Sequence, residues 1–351
     1  MLKQIKIFVA LVIIVVIGFL SRSSLKQSSG SVIDYLISKK LIVSSLLKED
    51  ELNEQTPTIT PSAVLEKGNG ILFVESVGKM DQSSIVLCSI ESAALMYPDR
   101  PVVYFMKGLN NIYTEEDERK AQEHFLTLSS YKNIYFFPLK LEKLFADTPL
   151  LAWYEKVDPN KERYWIHVKS DACRFALIWK YGGIYMDTDV ISIQQIPEVN
   201  FLAAEDDTYT GSSVFGMSPN HNLTWEFMED FVQNYDGDIW GQQGPLLLTR
   251  IVNKYCGLPQ FKSVDHMTCA NISYFHRERC FPLPCASWDK VFEVVKTLPH
   301  FEHSYAIHLW NYMNREKRVM VPNSSTLLEH LYKKFCPSTY EAILNNKPLY
   351  Q

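Results

Sequence analysis

The chain has 351 residues, of which 46% are apolar and 21% charged, and its formal net charge is −5. That length and apolar content suit one large α/β domain or two modest ones. The mildly acidic balance, with no basic amphipathic surface, argues against nucleic acid as a partner.

At the N-terminus, residues 7–20 form an uninterrupted apolar run from Ile7 to Leu20. The run is shorter than the roughly 20 residues of an ordinary membrane span. Lys3, Lys6 and Arg22 can snorkel and extend it. No small-x-small cleavage site follows, so it reads as an uncleaved signal-anchor rather than a removed leader. Basic residues flank both ends, and the positive-inside rule leaves the orientation open. The expected organisation is a cytoplasmic tail at 1–6, a transmembrane anchor at 7–20, a stem at 21–67 and a lumenal domain at 68–351.

The stem starts serine-rich. One helical stretch follows, with Val32, Ile33, Leu36, Ile37, Leu41, Leu46 and Leu47 at mixed three- and four-residue spacing. It reads as a packing segment or a weak self-association seam, which allows a homodimer. A polar linker around Asn53 to Pro57 closes the stem.

From Gly70 the texture becomes strand–helix alternation. Ile71–Glu75, Pro101–Met106 and Asn133–Phe137 read as buried strands, and Ser83–Tyr97 as a helix stopped by Pro98. Such alternation implies right-handed crossovers and a mainly parallel sheet flanked by helices. Ser170 can N-cap a helix over Asp171–Tyr181, with Gly182 as its left-handed C-terminal residue. The chain then runs through Gly183-Ile184-Tyr185-Met186 into Asp187-Thr188-Asp189. If the run ends as a strand, its period of two points both aspartates the same way. The pair makes an oxygen-rich site for a hard divalent cation that could bridge a diphosphate. Asp171 and Arg174, three apart, share a helix face: either a local capping pair, or a carboxylate and a planar fork for sugar hydroxyls and phosphate.

Three N-x-S/T sequons, at Asn222, Asn271 and Asn323, agree with a secretory location. The seven cysteines show neither CxxC nor His-paired zinc spacing, so disulfides are expected. Cys256–Cys269 and Cys280–Cys285 are the local candidates, with Cys173 the candidate free thiol. Gly241-Gln242-Gln243-Gly244-Pro245 sits between two helical stretches. Its glycines allow close backbone approach, and its glutamines could touch a sugar or merely make a turn. Glu205-Asp206-Asp207 is a cluster of acids that could offer a nucleophile but reads rather as a solvated loop. His308, in an apolar run, is either a ligand or a satisfied core residue.

Ser170-Asp171-x-x-Arg174, Lys180 through Val190, Ile196 through Ala204, Ile239 through Pro245 and His308-Leu309-Trp310-Asn311 together resemble the GT-A glycosyltransferases with the D-x-D sugar-binding motif. Within these they resemble the α-1,4 group, over about residues 70–340. The resemblance implies a GT-A type nucleotide-sugar-binding fold in a single-pass type II Golgi membrane protein. It implies Mn2+ held by Asp189 and the UDP diphosphate, with Asp187 on the ribose or a metal-bound water. It also implies a further ligand from His308 or Asn311. Asp171, Arg174, Asp187, Gly183 and Gln242 would bind the donor sugar and nucleotide, Glu75 would serve the uracil, and Asp187, Asp189 and Gln243 would be the catalytic residues. The implied reaction is retaining transfer of N-acetylglucosamine from UDP-GlcNAc, in α-1,4 linkage, to a terminal β-galactose of a glycoprotein O-glycan. Retention is expected by same-face attack rather than through an enzyme nucleophile. The alternatives are UDP-galactose transfer to a glycolipid, a metal phosphohydrolase (disfavoured by nine scattered histidines) and a non-catalytic carbohydrate-binding relative.

Overall fold

A computed structural model describes residues 59–109, 114–257, 261 and 263–351, all within a compact unit spanning 57–351. The expected tail, anchor and most of the stem lie outside the described residues. Among the described residues, no helix is long and apolar enough to cross a membrane.

The strands are β1 (Ile71–Glu75), β2 (Val102–Met106), β3 (Ile134–Pro138), β4 (Gly183–Met186), β5 (Val190–Ser192), β6 (Phe201–Ala204), β7 (Thr210–Met217), β8 (Met267–Cys269), β9 (Ile272–Phe275) and β10 (Ala306–His308). The α-helices are α1 (Pro61–Val64), α2 (Ser84–Met96), α3 (Glu115–His124), α4 (Leu141–Phe145), α5 (Leu150–Tyr154), α6 (Trp165–Tyr181), α7 (Asn222–Gln233), α8 (Pro245–Cys256), α9 (Leu327–Phe335) and α10 (Pro337–Leu344).

Eight strands form one sheet in the order β3-β2-β1-β4-β7-β6-β9-β8. The expectation of a mainly parallel sheet holds for β3, β2, β1 and β4. Beyond them β7 runs antiparallel to both β4 and β6, and β8 antiparallel to β9, so the sheet is mixed. The short link from β6 to β7 leaves no room for a crossover helix, which fixes that pairing as a hairpin.

The central strands read as continuous apolar runs because both sheet faces are covered. Alternate residues feed two cores. Leu72, Val74, Val103 and Phe105 pack with α6, α7 and α8. Ile71, Phe73, Val102 and Tyr104 pack with α2 and Phe125. A third cluster carries the two-stranded ribbon β10-β5, whose Ile191 and Ile307 pack on Leu327, Leu328 and Leu331 of α9.

Cys88 of α2 is bonded to Cys336, ahead of α10. Buried Glu91 reinforces that junction by accepting from Tyr131 Oη at 2.7 Å and from the Ser338 and Thr339 N–H groups at 2.6 and 2.9 Å. These contacts seat the C-terminal helices on which the ribbon rests. The Cys256–Cys269 bridge forms as expected, and Cys173 is free and buried. The expected Cys280–Cys285 bridge does not form: Cys280 is buried in the core on the α2 side of the sheet, and both thiols are free.

Helix α6 begins at Trp165, not at Ser170. Nothing in Trp165–Lys169 breaks a helix, and Trp165 packs on Trp153 at 5.9 Å, so tertiary packing recruits the extra turns. Gly182 does end the helix with φ +64. Gly183 follows at φ +97, where a β-carbon would stand 2.2 Å from the Gly70 carbonyl oxygen. It is therefore required for the close approach of β4 to β1.

Candidate active site

A cleft of about 600 Å³ opens at the carboxyl ends of β1 and β4. This is the edge at which open α/β sheets bind ligands. Strand β4 ends at Met186, so Asp187-Thr188-Asp189 is the tight turn between β4 and β5 rather than strand, with Val190 N–H donating to the Asp187 carbonyl at 3.1 Å. Asp187 keeps the alternation of the strand it leaves: Tyr185, two residues earlier, donates its hydroxyl to Asp187 Oδ1 at 2.6 Å. Asp189 is turned toward it by the ribbon, in which His308 pairs with Val190.

Oxygen and nitrogen atoms of Asp187, Asp189 and His308 lie within 4.8 Å of one another. Two carboxylates and an imidazole are a donor set that suits a divalent metal ion, so these residues fit the divalent cation implied by the D-x-D motif. His308 Nε2 is 3.2 Å from Asp189 Oδ1, and its ring is packed between Phe281 and Trp310. Burial opposes the charge on both, yet their mutual attraction wins: Asp189 sits below the usual carboxylate range and His308 above its ordinary value. Trp310 adopts a left-handed φ of +53, rare for a bulky residue. The turn it makes aims the Asn311 backbone N–H at Asp189 Oδ2, 2.8 Å away. Asn311 thus reaches the site through its backbone.

Arg174 and Asp171 belong to the buried wall of the cleft, in the interior of α6. The guanidinium donates to the Ser212 carbonyl at 2.7 Å and pairs with Asp187 at 3.3 Å. Its Nε lies 3.2 Å from Asp171 Oδ1, an ion-pair distance without hydrogen-bond alignment. Tyr185 lies under it at 4.8 Å. Burial opposes the charge on Arg174, but Asp187, Tyr185 and Asp171 outweigh it and hold the pKa above its ordinary value. Its donors are directed at protein groups, so Arg174 positions Asp187 and Asp171 for whatever enters the cleft. Burial raises the pKa of Asp171 to about 6, against the opposing pull of Arg174.

Glu75, at the end of β1, also lines the cleft. Its Oε1 accepts from the Val77 and Gly78 N–H groups at 2.5 and 2.7 Å, while Oε2 is buried without a partner. Gly183 is buried against β1 and does not line the cleft. Gln242 and Gln243 do not line it either. Gln243 is fully buried, its Nε2 donating to the Phe231 and Asn234 carbonyls at 3.2 and 3.0 Å, and Gln242 Nε2 donates to the Asn234 carbonyl at 3.1 Å. Both glutamines lock the turn between α7 and α8, and Trp240, Gly241 and Pro245 are what that turn shows to the cleft. Glu205 is not a solvated loop acid: it lines the cleft, and burial raises its pKa to about 7, with His308 opposing. Sequence reasoning also missed Tyr185, Ser212 and His167. Tyr185 could have been found from its position two residues before Asp187, and His167 only from the true start of α6. Asn222, Asn271 and Asn323 are exposed.

Two family descriptions match. Residues 83–208 match the glycosyltransferase sugar-binding region containing the DXD motif, and residues 216–343 match the alpha 1,4-glycosyltransferase conserved region. Human alpha-1,4-N-acetylglucosaminyltransferase is 47% identical over 282 residues, covering 80% of this chain and 83% of that one. Human lactosylceramide 4-alpha-galactosyltransferase is 34% identical over 296 residues, covering 82% of each. Among solved structures, PaToxG glycosyltransferase aligns with a TM-score of 0.41 at 16% identity, over 62% of this chain and 79% of that chain.

Proposed function

The chain belongs to the α-1,4-glycosyltransferases that carry the D-x-D sugar-binding region, and on that premise we propose that it transfers N-acetylglucosamine from UDP-GlcNAc, with retention, in α-1,4 linkage to a terminal β-galactose of a glycoprotein O-glycan. The observation that carries the donor choice is the 47% identity with the human N-acetylglucosaminyltransferase, against 34% with the galactosyltransferase. UDP-galactose transfer to a glycolipid is the second reading, favoured by the same family membership and less well supported.

We further propose a GT-A type donor site in which Asp187, Asp189 and His308 hold Mn2+. When bound there, the ion would screen the negative charge that develops on the diphosphate leaving group. Tyr185, Arg174 and the Asn311 N–H fix the two aspartates beforehand, so little reorganisation is left to the reacting complex. Asp171 presents a carboxylate to donor hydroxyls. Glu75 Oε2 offers an unpartnered acceptor that suits the imide N–H of uracil. The acceptor 4-hydroxyl oxygen bonds to the anomeric carbon as the bond to the UDP oxygen breaks on the same face. Its proton goes to the departing phosphate oxygen. Exposed Asn222, Asn271 and Asn323 and the two disulfides support a Golgi lumenal placement. In that placement residues 7–20 would serve as a type II anchor.

The test is a panel of UDP-GlcNAc and UDP-galactose against an O-glycan β-galactoside and lactosylceramide, with the full-length chain and Mn2+. Transfer of N-acetylglucosamine to the O-glycan is expected to dominate; preference for UDP-galactose on lactosylceramide would overturn the donor assignment.

A further inference from the structure

At the rim of the cleft an exposed aromatic stack joins two segments that are remote in sequence. Trp240, on the turn before α8, and Tyr312, after β10, have ring centroids 4.2 Å apart and planes 15° apart. His167 of α6 meets both rings edge-on at 4.5 and 4.8 Å. The Arg315 guanidinium lies 3.9 Å over Tyr312. Trp240 is 43% exposed and Tyr312 38%, and both line the cleft. Aromatic rings of this size are ordinarily covered, so a stack left open to water on the wall of a polar cleft marks a binding surface.

Its position is informative. His167 is one helical turn before Asp171, and Tyr312 directly follows Asn311, whose N–H holds Asp189. The stack therefore borders the carboxylates without supporting them: Asp187 is held by Tyr185 and Arg174, and Asp189 by His308 and the Asn311 backbone. Nothing in the donor site as built above requires it.

We propose that Trp240, backed by Tyr312 and flanked by His167, is the acceptor subsite and takes a terminal β-galactoside by the apolar face of the sugar ring. This rests on the glycosyltransferase reading above and adds to it what selects the acceptor. In a β-galactopyranoside the hydrogens on C1, C3 and C5 share one ring face with the C4 hydrogen at its border, a continuous apolar patch. The 4-hydroxyl is axial and stands on the opposite face. Laying the patch on the face of Trp240 that Tyr312 does not cover buries apolar surface on both partners and turns O4 away from the indole, into the cleft. A glucoside carries its 4-hydroxyl equatorially, so the same stacking directs O4 along the rim. Burial, with Arg174 nearby, lowers the His167 pKa, so its imidazole is neutral and can both donate to and accept from a sugar hydroxyl.

The experiment uses the full-length chain and its Trp240→Ala, Tyr312→Ala and Trp240→Phe variants. It measures KM for methyl β-galactoside and, separately, the Kd for UDP with Mn2+. Each alanine variant is expected to raise the acceptor KM by about tenfold or more, while the UDP Kd stays within about twofold and Trp240→Phe restores most of the acceptor affinity. Methyl β-glucoside is expected to be at least about tenfold poorer than the galactoside for the parent chain. An acceptor KM unchanged in both alanine variants would overturn the subsite, as would a UDP Kd that weakens as much as the acceptor KM. Failure of the parent chain to bind UDP is a different result and would sink the glycosyltransferase reading itself.

Discussion

The Cα of Gly244 packs against the carboxylate of Asp171, so a β-carbon at 244 would stand 2.8 Å from Oδ1 and 2.9 Å from Oδ2. The turn between α7 and α8 thus reaches the site through a glycine that lets a buried aspartate stand upright beside it. Gly244→Ala is expected to push Asp171 out of line, with an overpacking cost of about 1–3 kcal/mol in stability. Steady-state kinetics should show the KM for the UDP-sugar rising by about tenfold, as misplacement of a positioning group does. Unchanged donor kinetics in a folded variant would remove Asp171 from the donor site.

Tyr185→Phe removes the 2.6 Å hydrogen bond that fixes Asp187 and leaves the packing volume almost unaltered. Loss of such a supporting bond typically weakens metal affinity by about 10–100-fold. Titration of Mn2+ in the presence of UDP should show that weakening with little change in melting temperature. Equal Mn2+ affinity in the variant would mean that Asp187 is held without the tyrosine.

Asp171 gives a pH dependence of definite sign. Its pKa is raised on folding from 3.8 to about 6 by burial. The folded state therefore holds the proton more tightly, and stability present below pH 3.8 is lost as the pH rises through about 6. A shift of that size corresponds to on the order of 3 kcal/mol. Asp171→Asn cannot titrate, so the melting temperature of the variant relative to the parent should climb between pH 4 and pH 7. A flat difference over that interval would show that Asp171 does not titrate as its burial dictates.

Glu205 separates the two routes to retention. Same-face attack leaves it no covalent role, so Glu205→Gln should lower kcat by no more than about 100-fold, in the range of a lost acid–base or electrostatic contribution. A fall of about 10⁴-fold or more, with UDP release restored by azide as the sugar is captured as a glycosyl azide of inverted configuration, would instead assign double displacement through Glu205.

The sequence made much of this legible because the site is built from one short segment. Helix α6, Gly182 and the D-x-D turn are contiguous, and apolar runs bounded by turn residues define β1, β2 and β3. What escaped it depends on long-range packing. The Cys88–Cys336 bridge spans 248 residues, and no local spacing announces it. The start of α6 was displaced because tertiary contact of Trp165 with Trp153 outweighs the capping preference of Ser170. The hairpin of β6 and β7 turned a parallel expectation into a mixed sheet. Gln243 and Gly183 had the composition of ligand contacts, but burial decides their use, and burial is set by neighbours absent from the local pattern. His308 left ligand and core readings open; its distance to Asp189 places it with the carboxylates.

Asp187, Asp189 and His308, as the proposed cation ligands, make donor cleavage depend on a divalent ion. The most direct measurement is UDP release from UDP-GlcNAc, with β-galactoside acceptor, by the parent chain and by Asp189→Ala, each with Mn2+ and with chelator, alongside a melting curve for the variant. Turnover in the parent chain should be abolished by chelator, and a folded Asp189→Ala chain should lose about 10³-fold or more, as expected when the charge-stabilising group is removed. Normal turnover in Asp189→Ala, or turnover indifferent to chelator, would contradict that assignment.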